Sequence, residues 1–262
     1  MRDTNGILPT SFYLSPDLLN TASHPFASGG YGDMSEGTLD GSKVRIKRVR
    51  VYTRDDTQEA INVRFDVVAF PVCHLQRSSQ AFCREAVTWE HLKHRNILPL
   101  LGITVAPLQL VSHWMSGGDL REYIKKNPSA HRVGLVGSLL LCLSHTYYRR
   151  QLSDAAEGLC YLHSCDVVHG DLKGVCVHSE PHFSTVLTSG QPNILVDNSG
   201  NPRIADFGLA TVTQNLDPMG GTSRQLGCTP RWAAPEVLNE DRYSKEADIF
   251  SFAMVMIEVR RR

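Results

Sequence analysis

Apolar and polar residues alternate over Lys43-Val44-Arg45-Ile46-Lys47-Arg48-Val49-Arg50-Val51, the period of two expected of a strand. Asp40-Gly41, just before it, is a tight-hairpin signal. From Ala81 to Lys93 the period changes, and Phe82, Ala86, Trp89 and Leu92 fall on one stripe of a helix. His94-Arg95-Asn96-Ile97-Leu98 then opens a hairpin that returns over Leu108 to Val111. Asp119 is placed to cap a short helix ending near Asn127-Pro128. A second helix, Gln151 to Cys165, turns Leu152, Ala156, Leu159 and Leu162 inward. Beyond it lie two strand-like runs. The first, at Val167-Val168, leads into Asp171 and Lys173; the second, Pro192 to Ile204 around a turn at Asn198-Ser199-Gly200, leads into Asp206. Glu246 to Val259 is apolar nearly all round, the mark of a buried helix. Residues 1 to about 22 lack sustained periodicity and read as a loosely ordered leader with a short helix at Asp17-Leu18-Leu19-Asn20.

The chain of 262 residues has room for one large domain or two lobes. Its 27 Lys and Arg balance 27 Asp and Glu, so nothing global points to nucleic acid or a membrane as partner. Seven cysteines without a C-x-x-C pair suit a reducing compartment rather than a disulfide framework. No secretory signal opens the chain, and the longest apolar run, Leu139 to Leu143, is too short to cross a bilayer. Arg260-Arg261-Arg262 reads as a solvated end. The expectation is a cytoplasmic protein, with its oligomeric state left open.

Several segments carry candidate chemistry. In Phe26-Ala27-Ser28-Gly29-Gly30-Tyr31-Gly32-Asp33-Met34 the glycines let backbone amides approach a phosphate, although a plain hairpin turn would look the same. A lysine in a strand is ordinarily a solvated face. Asp171 and Lys173 on one turn, with Asn193 and Asp206 on others, are the groups phosphoryl transfer needs: a proton acceptor, a balancing cation and two metal ligands.

Taken in order from about Phe26 to Val259, these segments resemble a eukaryotic protein kinase domain. The resemblance implies an α+β, bilobal fold: a small β-rich N-lobe with one helix and a mainly helical C-lobe lacking its last helices. The leader would occupy 1–22 and the kinase domain 23–262, with N-lobe 23–111, hinge 112–118 and C-lobe 119–262. It also implies ATP and Mg2+ as cofactors and a protein substrate. Gly29, Gly30, Gly32 and Met34 would cover the nucleotide. Lys47, in V-R-I-K, would grip the α- and β-phosphates and Glu85 would orient it. Ser112 would be the gatekeeper, and His113 and Met115 would offer backbone groups to adenine. Asp171 would be the base, Lys173 would steady the γ-phosphate, and Asn193 and Asp206 would bind magnesium. Asp248 would hold the catalytic-loop backbone. Gly227 to Glu236 resembles the substrate-binding loop, and Pro230-Arg231-Trp232-x-Ala-Pro-Glu resembles the tyrosine-kinase-like group. Lys173 and Thr229 resemble serine/threonine kinases, hence transfer to a Ser/Thr hydroxyl.

The chain departs from the family pattern at particular places. Ala27 stands for the first glycine and Met34 for a valine. Arg45 replaces a small residue on the face of Lys47, so it must snorkel outward or crowd the nucleotide. Gly170 replaces the arginine that grips an activation-loop phosphate, so phosphorylation of Thr211, Thr213, Thr222 or Ser223 is not expected to switch the chain on. Blocks at 63–80, 137–150 and 175–191 read as insertions without clean periodicity, and both surface loops and retained intron sequence account for them. Removing Val175 to Gln191 restores the family's close spacing of Asp171 and Asn193. The chain stops just past the Asp248 helix, which would leave part of that helix's apolar surface exposed. A non-catalytic kinase-like module, or a truncated mis-spliced product, is the alternative to an active enzyme.

Overall fold

A computed structural model describes residues 10–22, 24–29, 32–49, 77–105, 107–127, 137–174, 192–212 and 229–260. They divide into two compact units, one of residues up to Lys93 with Leu98–Trp114, the other of His94–Ile97 with Met115 onward.

The first unit is a six-stranded antiparallel sheet with one helix. Its strands are β1 (Leu19–Thr21), β2 (Ala27–Gly29), β3 (Gly32–Leu39), β4 (Ser42–Arg48), β5 (Leu100–Val105) and β6 (Leu108–His113), and its helix is α1 (Arg77–His91). The order is β1-β3-β4-β6-β5, with β2 also on β3. Asp40 and Gly41 both take positive φ, 48° and 76°, the primed turn whose twist suits a two-residue hairpin. Alternation along β4 puts Val44 and Ile46 on one face and Arg45 and Lys47 on the other, and all four are buried. Leu19, Val44, Ile46 and Val111 form the core of the first face, with Leu14, Leu39 and Leu101 against it.

The second unit is mainly helical. It contains β7 (Gly118–Asp119), α2 (Leu120–Lys126), α3 (Gly137–Ser164), β8 (Val167–Val168), β9 (Ile194–Val196), β10 (Pro202–Ile204), β11 (Thr211–Val212), α4 (Pro235–Glu240) and α5 (Lys245–Arg260). The short strands form two small sheets, β7-β9-β10 and β8-β11. Asp119 caps α2 as expected, Oδ1 accepting from the Glu122 amide at 2.9 Å. The Asn198–Gly200 turn is held by Asp197, whose Oδ1 accepts from the amides of Ser199 and Asn201, both at 2.9 Å. The small β-rich and the mainly helical units match the bilobal kinase-like fold that the sequence implied.

Three expectations need correction. A 3-10 turn, Pro16–Leu18, and then β1 replace the short helix at 17–20; the edge of β3 supplies partners that local propensity could not reveal. Helix α1 begins at Arg77, four residues inside the expected 63–80 block. Residues 137–150 are not a loop but the first half of the 28-residue α3, continuous with the expected Gln151 helix. Of the two alternatives for Arg45, snorkelling outward is excluded, because the residue is buried on the face of Lys47. Residues 63–76 and 175–191 lie outside the described residues. Helix α5 leaves Ile249, Phe250, Met256 and Ile257 exposed, as expected for a helix apolar on every side. Among the described residues no helix is long and apolar enough to cross a membrane.

Candidate active site

In the first unit, Lys47 on β4 and Glu85 on α1 form a buried ion pair, Nζ to Oε1 2.7 Å. Both are nearly inaccessible, so their pairing offsets part of the cost of burying each charge. Met34 is buried opposite Lys47 across the β3–β4 ladder. Gly29 pairs with Gly32 at the tip of the β2–β3 hairpin. A Cβ on Gly32 would come within 2.3 Å of the Arg48 carbonyl oxygen, so glycine is required there. Gly30 lies outside the described residues. Ser112 is buried on β6, next to His113, which ends the strand exposed.

In the second unit, Val167-Val168 ends in a polar cluster held by backbone hydrogen bonds. Buried Asp248, on α5, accepts the amide of His169 at 2.8 Å on one oxygen and that of Gly170 at 2.9 Å on the other. His163 Nε2 reaches the same carboxylate at 3.0 Å. Gly170 has φ +83°, a conformation a side chain rarely adopts. The His169 ring accepts the Asp171 amide at Nδ1, 3.2 Å away, and faces the Ala205 carbonyl with Nε2 at 3.1 Å. Only the neutral tautomer protonated at Nε2 satisfies both.

Asp171 is thereby aimed into a cluster drawn from three segments. Its Oδ1 accepts from Thr229 Oγ1 at 2.9 Å and from the Thr229 amide at 3.1 Å. Its Oδ2 meets Lys173 Nζ at 2.5 Å, and that ammonium also reaches Thr229 Oγ1 at 3.2 Å. Asn193 Nδ2 donates to the Asp171 carbonyl at 2.5 Å. The block at 175–191 therefore does not separate Asp171 from Asn193. The backbone is paired there too: the Asn193 amide donates to the Lys173 carbonyl at 3.1 Å, and the Ala205 amide to the Asn193 carbonyl at 2.8 Å. That last bond sets Asp206 one residue from the Asn193 segment. Asp206 has φ +67°, an uncommon conformation for a residue with a Cβ and one that concentrates at functional sites.

A metal fits this donor set. Asn193 Oδ1 is buried without a hydrogen-bond partner, and a buried orphan acceptor calls for a ligand. No group of three or more His, Cys, Asp or Glu forms a metal cage among the described residues. Magnesium does not need one, because it keeps several waters and takes one or two carboxylates together with substrate phosphates.

Met115 is buried in the second unit. Sequence reasoning placed Thr229 in the substrate loop but missed the two hydrogen bonds it donates to Asp171, and it missed His163 altogether. It also missed buried Glu258 on α5. Burial pushes that carboxyl above its ordinary value, against the pull of Trp232, Arg231 and Arg121. Trp232 Nε1 donates to Glu258 at 3.1 Å. Trp232 lies in the segment singled out from the sequence, but its partner is 26 residues away and shares no local pattern with it.

The family model described as protein tyrosine and serine/threonine kinase matches residues 21–180, and that described as protein kinase domain matches 191–262. The two matches part inside the 175–191 block. The serine/threonine-protein kinase STY46 of Arabidopsis thaliana is 26% identical over 238 residues, 90% of this chain and 32% of that protein. The Dictyostelium discoideum chain named "Probable serine/threonine-protein kinase drkA" is 28% identical over 238 residues, 89% of this chain and 29% of its own length. The chain thus spans about a third of the length of these two relatives.

Proposed function

We infer that this chain, which belongs to the protein tyrosine and serine/threonine kinase family, is an ATP-dependent kinase phosphorylating Ser/Thr hydroxyls of a protein substrate. The observation that carries this reading is the Asp171–Lys173–Thr229–Asn193 cluster, assembled although its members lie far apart in sequence.

Bound MgATP would supply the phosphoryl group to be transferred. Asp171 holds a carboxylate oxygen ready to accept the hydroxyl proton, and Thr229 and Lys173 fix its orientation. Lys173 places a positive charge beside that proton acceptor, where it would steady the γ-phosphate and balance the negative charge on the transferring phosphoryl group. Asn193 Oδ1 and the Asp206 carboxylate would hold the metal. Lys47, steadied by Glu85, would hold the α- and β-phosphates, beneath the hairpin of Gly29, Gly30 and Gly32 with Met34. The main chain of His113 and Met115 would receive adenine. Contact of Lys173 and Thr229 with the proposed base supports Ser/Thr over Tyr, and Pro230-Arg231-Trp232 supports the tyrosine-kinase-like group. The three described free cysteines, Cys83, Cys160 and Cys165, fit a reducing, cytoplasmic setting.

The test is transfer of labelled phosphate from MgATP to casein or myelin basic protein, followed by phosphoamino-acid analysis. Labelled phosphoserine or phosphothreonine, abolished by Asp171→Asn, is the expected result. Absence of transfer by the wild-type chain, or transfer that survives Asp171→Asn, overturns the reading.

A further inference from the structure

The segment Thr10–Thr21 crosses the first unit's sheet from one edge to the other. At the β5 edge Tyr13 bridges Ile103, and the Leu14 amide donates to the Ile103 carbonyl at 2.8 Å. At the opposite edge Leu19–Thr21 pairs with Leu39–Gly37 of β3, and the Ala22 amide donates to the Glu36 carbonyl at 2.8 Å. Between the edges Leu14 and Leu19 pack on Val44, Ile46 and Val111.

A glycine stands at each crossing. A Cβ on Gly102 would lie 2.6 Å from the Phe12 carbonyl oxygen, and one on Gly37 would lie 2.5 Å from that of Asn20. Backbone can approach so closely only where no side chain intervenes.

The β5 crossing adjoins the helix that carries Glu85. Helix α1 packs on β5, and Trp89, one turn beyond Glu85, donates from Nε1 to the Leu98 carbonyl at 2.5 Å. Lys93, just past the end of α1, sets its ammonium 5.3 Å from the Phe12 ring centre. The Tyr13 side chain is half-buried, and its hydroxyl pKa is raised by burial first and by Cys83 of α1 second.

We propose that Thr10–Thr21 is a brace for helix α1 and that Tyr13 is a positioning residue for the Glu85–Lys47 pair. The brace stiffens the β5 edge, β5 and Leu98 fix α1, and α1 presents Glu85 to Lys47. Losing Tyr13 would free α1 to shift and would weaken nucleotide binding without removing any group that touches the nucleotide. The nucleotide arm of this proposal rests on the kinase reading above.

The experiment uses the whole chain as wild type, Tyr13→Phe, Tyr13→Ala, Glu85→Gln and the Tyr13→Ala/Glu85→Gln double variant. MgATP affinity is measured by calorimetry, and Cys83 alkylation by mass spectrometry of the mapped peptide. Tyr13→Phe keeps the ring and is expected to behave as wild type. Tyr13→Ala is expected to weaken MgATP about tenfold and to speed Cys83 alkylation, with the double variant no weaker than Glu85→Gln alone. Unchanged affinity in Tyr13→Ala, or additive losses in the double variant, overturns the proposal. Should Tyr13→Ala fail to fold, Gly102→Ala displaces the brace from the other side and is held to the same outcomes. Should the wild type bind no MgATP, the kinase reading fails by itself and Cys83 alkylation decides: acceleration in Tyr13→Ala supports the brace, and an unchanged rate overturns it.

Discussion

Asn193 donates its side-chain amide to the main-chain oxygen of Asp171 at 2.5 Å, across 22 positions of sequence. The Asn193 amide also pairs with the Lys173 carbonyl, so both ends of the intervening segment are pinned by backbone. The closure entropy of such a segment grows slowly with length, about 0.6 kcal/mol per doubling. Deletion of residues 175–191 is therefore expected to leave phosphotransfer within about tenfold of wild type, measured as kcat/KM on a protein substrate. Asn193→Ala, with residues 175–191 intact, is expected to lose activity at least as completely as Asp171→Asn. Loss of activity on deletion would mean that residues 175–191 themselves help to build the site.

Breaking the Lys47–Glu85 pair takes a 2.7 Å ion-pair partner away from a buried charge, a loss of at most about 3–5 kcal/mol. Lys47→Met and Glu85→Gln should each lower the unfolding free energy and weaken MgATP. The Lys47→Met/Glu85→Gln pair should cost less stability than the sum of the two, because the ion pair they share is then lost only once. Denaturant unfolding measures the first effect and calorimetry the second.

Asp248 uses both oxygens on the amides of His169 and Gly170. Asparagine has a single acceptor oxygen, so Asp248→Asn leaves one buried amide facing an NH2 group, a loss of about 1–3 kcal/mol. The expected signature is a lower melting temperature and a kcat that falls more than KM rises, because the damage is to the placement of Asp171. An unchanged kcat would remove Asp248 from the positioning of the loop.

Burial alone would push the Asp197 carboxyl up, but donors from Asn201, Arg203 and Ser199 outweigh it and hold the value below the ordinary one. A depressed carboxyl stabilises the fold above the unfolded-state value of about 3.9 and loses that contribution as pH falls through the folded value. Asp197→Asn should thus be less stable than wild type at neutral pH, with the two unfolding curves converging in acid. A constant gap across that range would assign the loss to something other than charge.

Gly170 replaces an arginine of the pattern the sequence resembles, and its φ of +83° disfavours any side chain. Phosphorylation at Thr211, Thr213, Thr222 or Ser223 is expected to leave kcat unchanged, as read on chains phosphorylated in vitro and mapped by mass spectrometry. A large rise at any one of them would sink this expectation. Gly170→Arg is expected to destabilise the chain without creating such a switch.

Local pattern was enough for much of this protein. Alternation at Val44 and Ile46 specified β4, the Phe82–Leu92 stripe specified α1, Asp40-Gly41 its turn and Asp119 its cap, because each rests on backbone periodicity or on a bond spanning a few residues. The candidate groups Asp171, Lys173, Asn193 and Asp206 were legible for a related reason: their order and immediate neighbours carry the family resemblance. What neighbours in sequence could not supply was proximity. Thr229 meets Asp171 across 58 positions and His163 meets Asp248 across 85, distances closed by tertiary packing such as that of Val168, Ala234, Val237, Tyr243 and Ala247 rather than by any repeat. Strand β1 exists because β3 offers an unpaired edge, and Arg45 is buried because both faces of β4 are covered. Those outcomes depend on partners remote in the chain, so they were decided only when the chain folded.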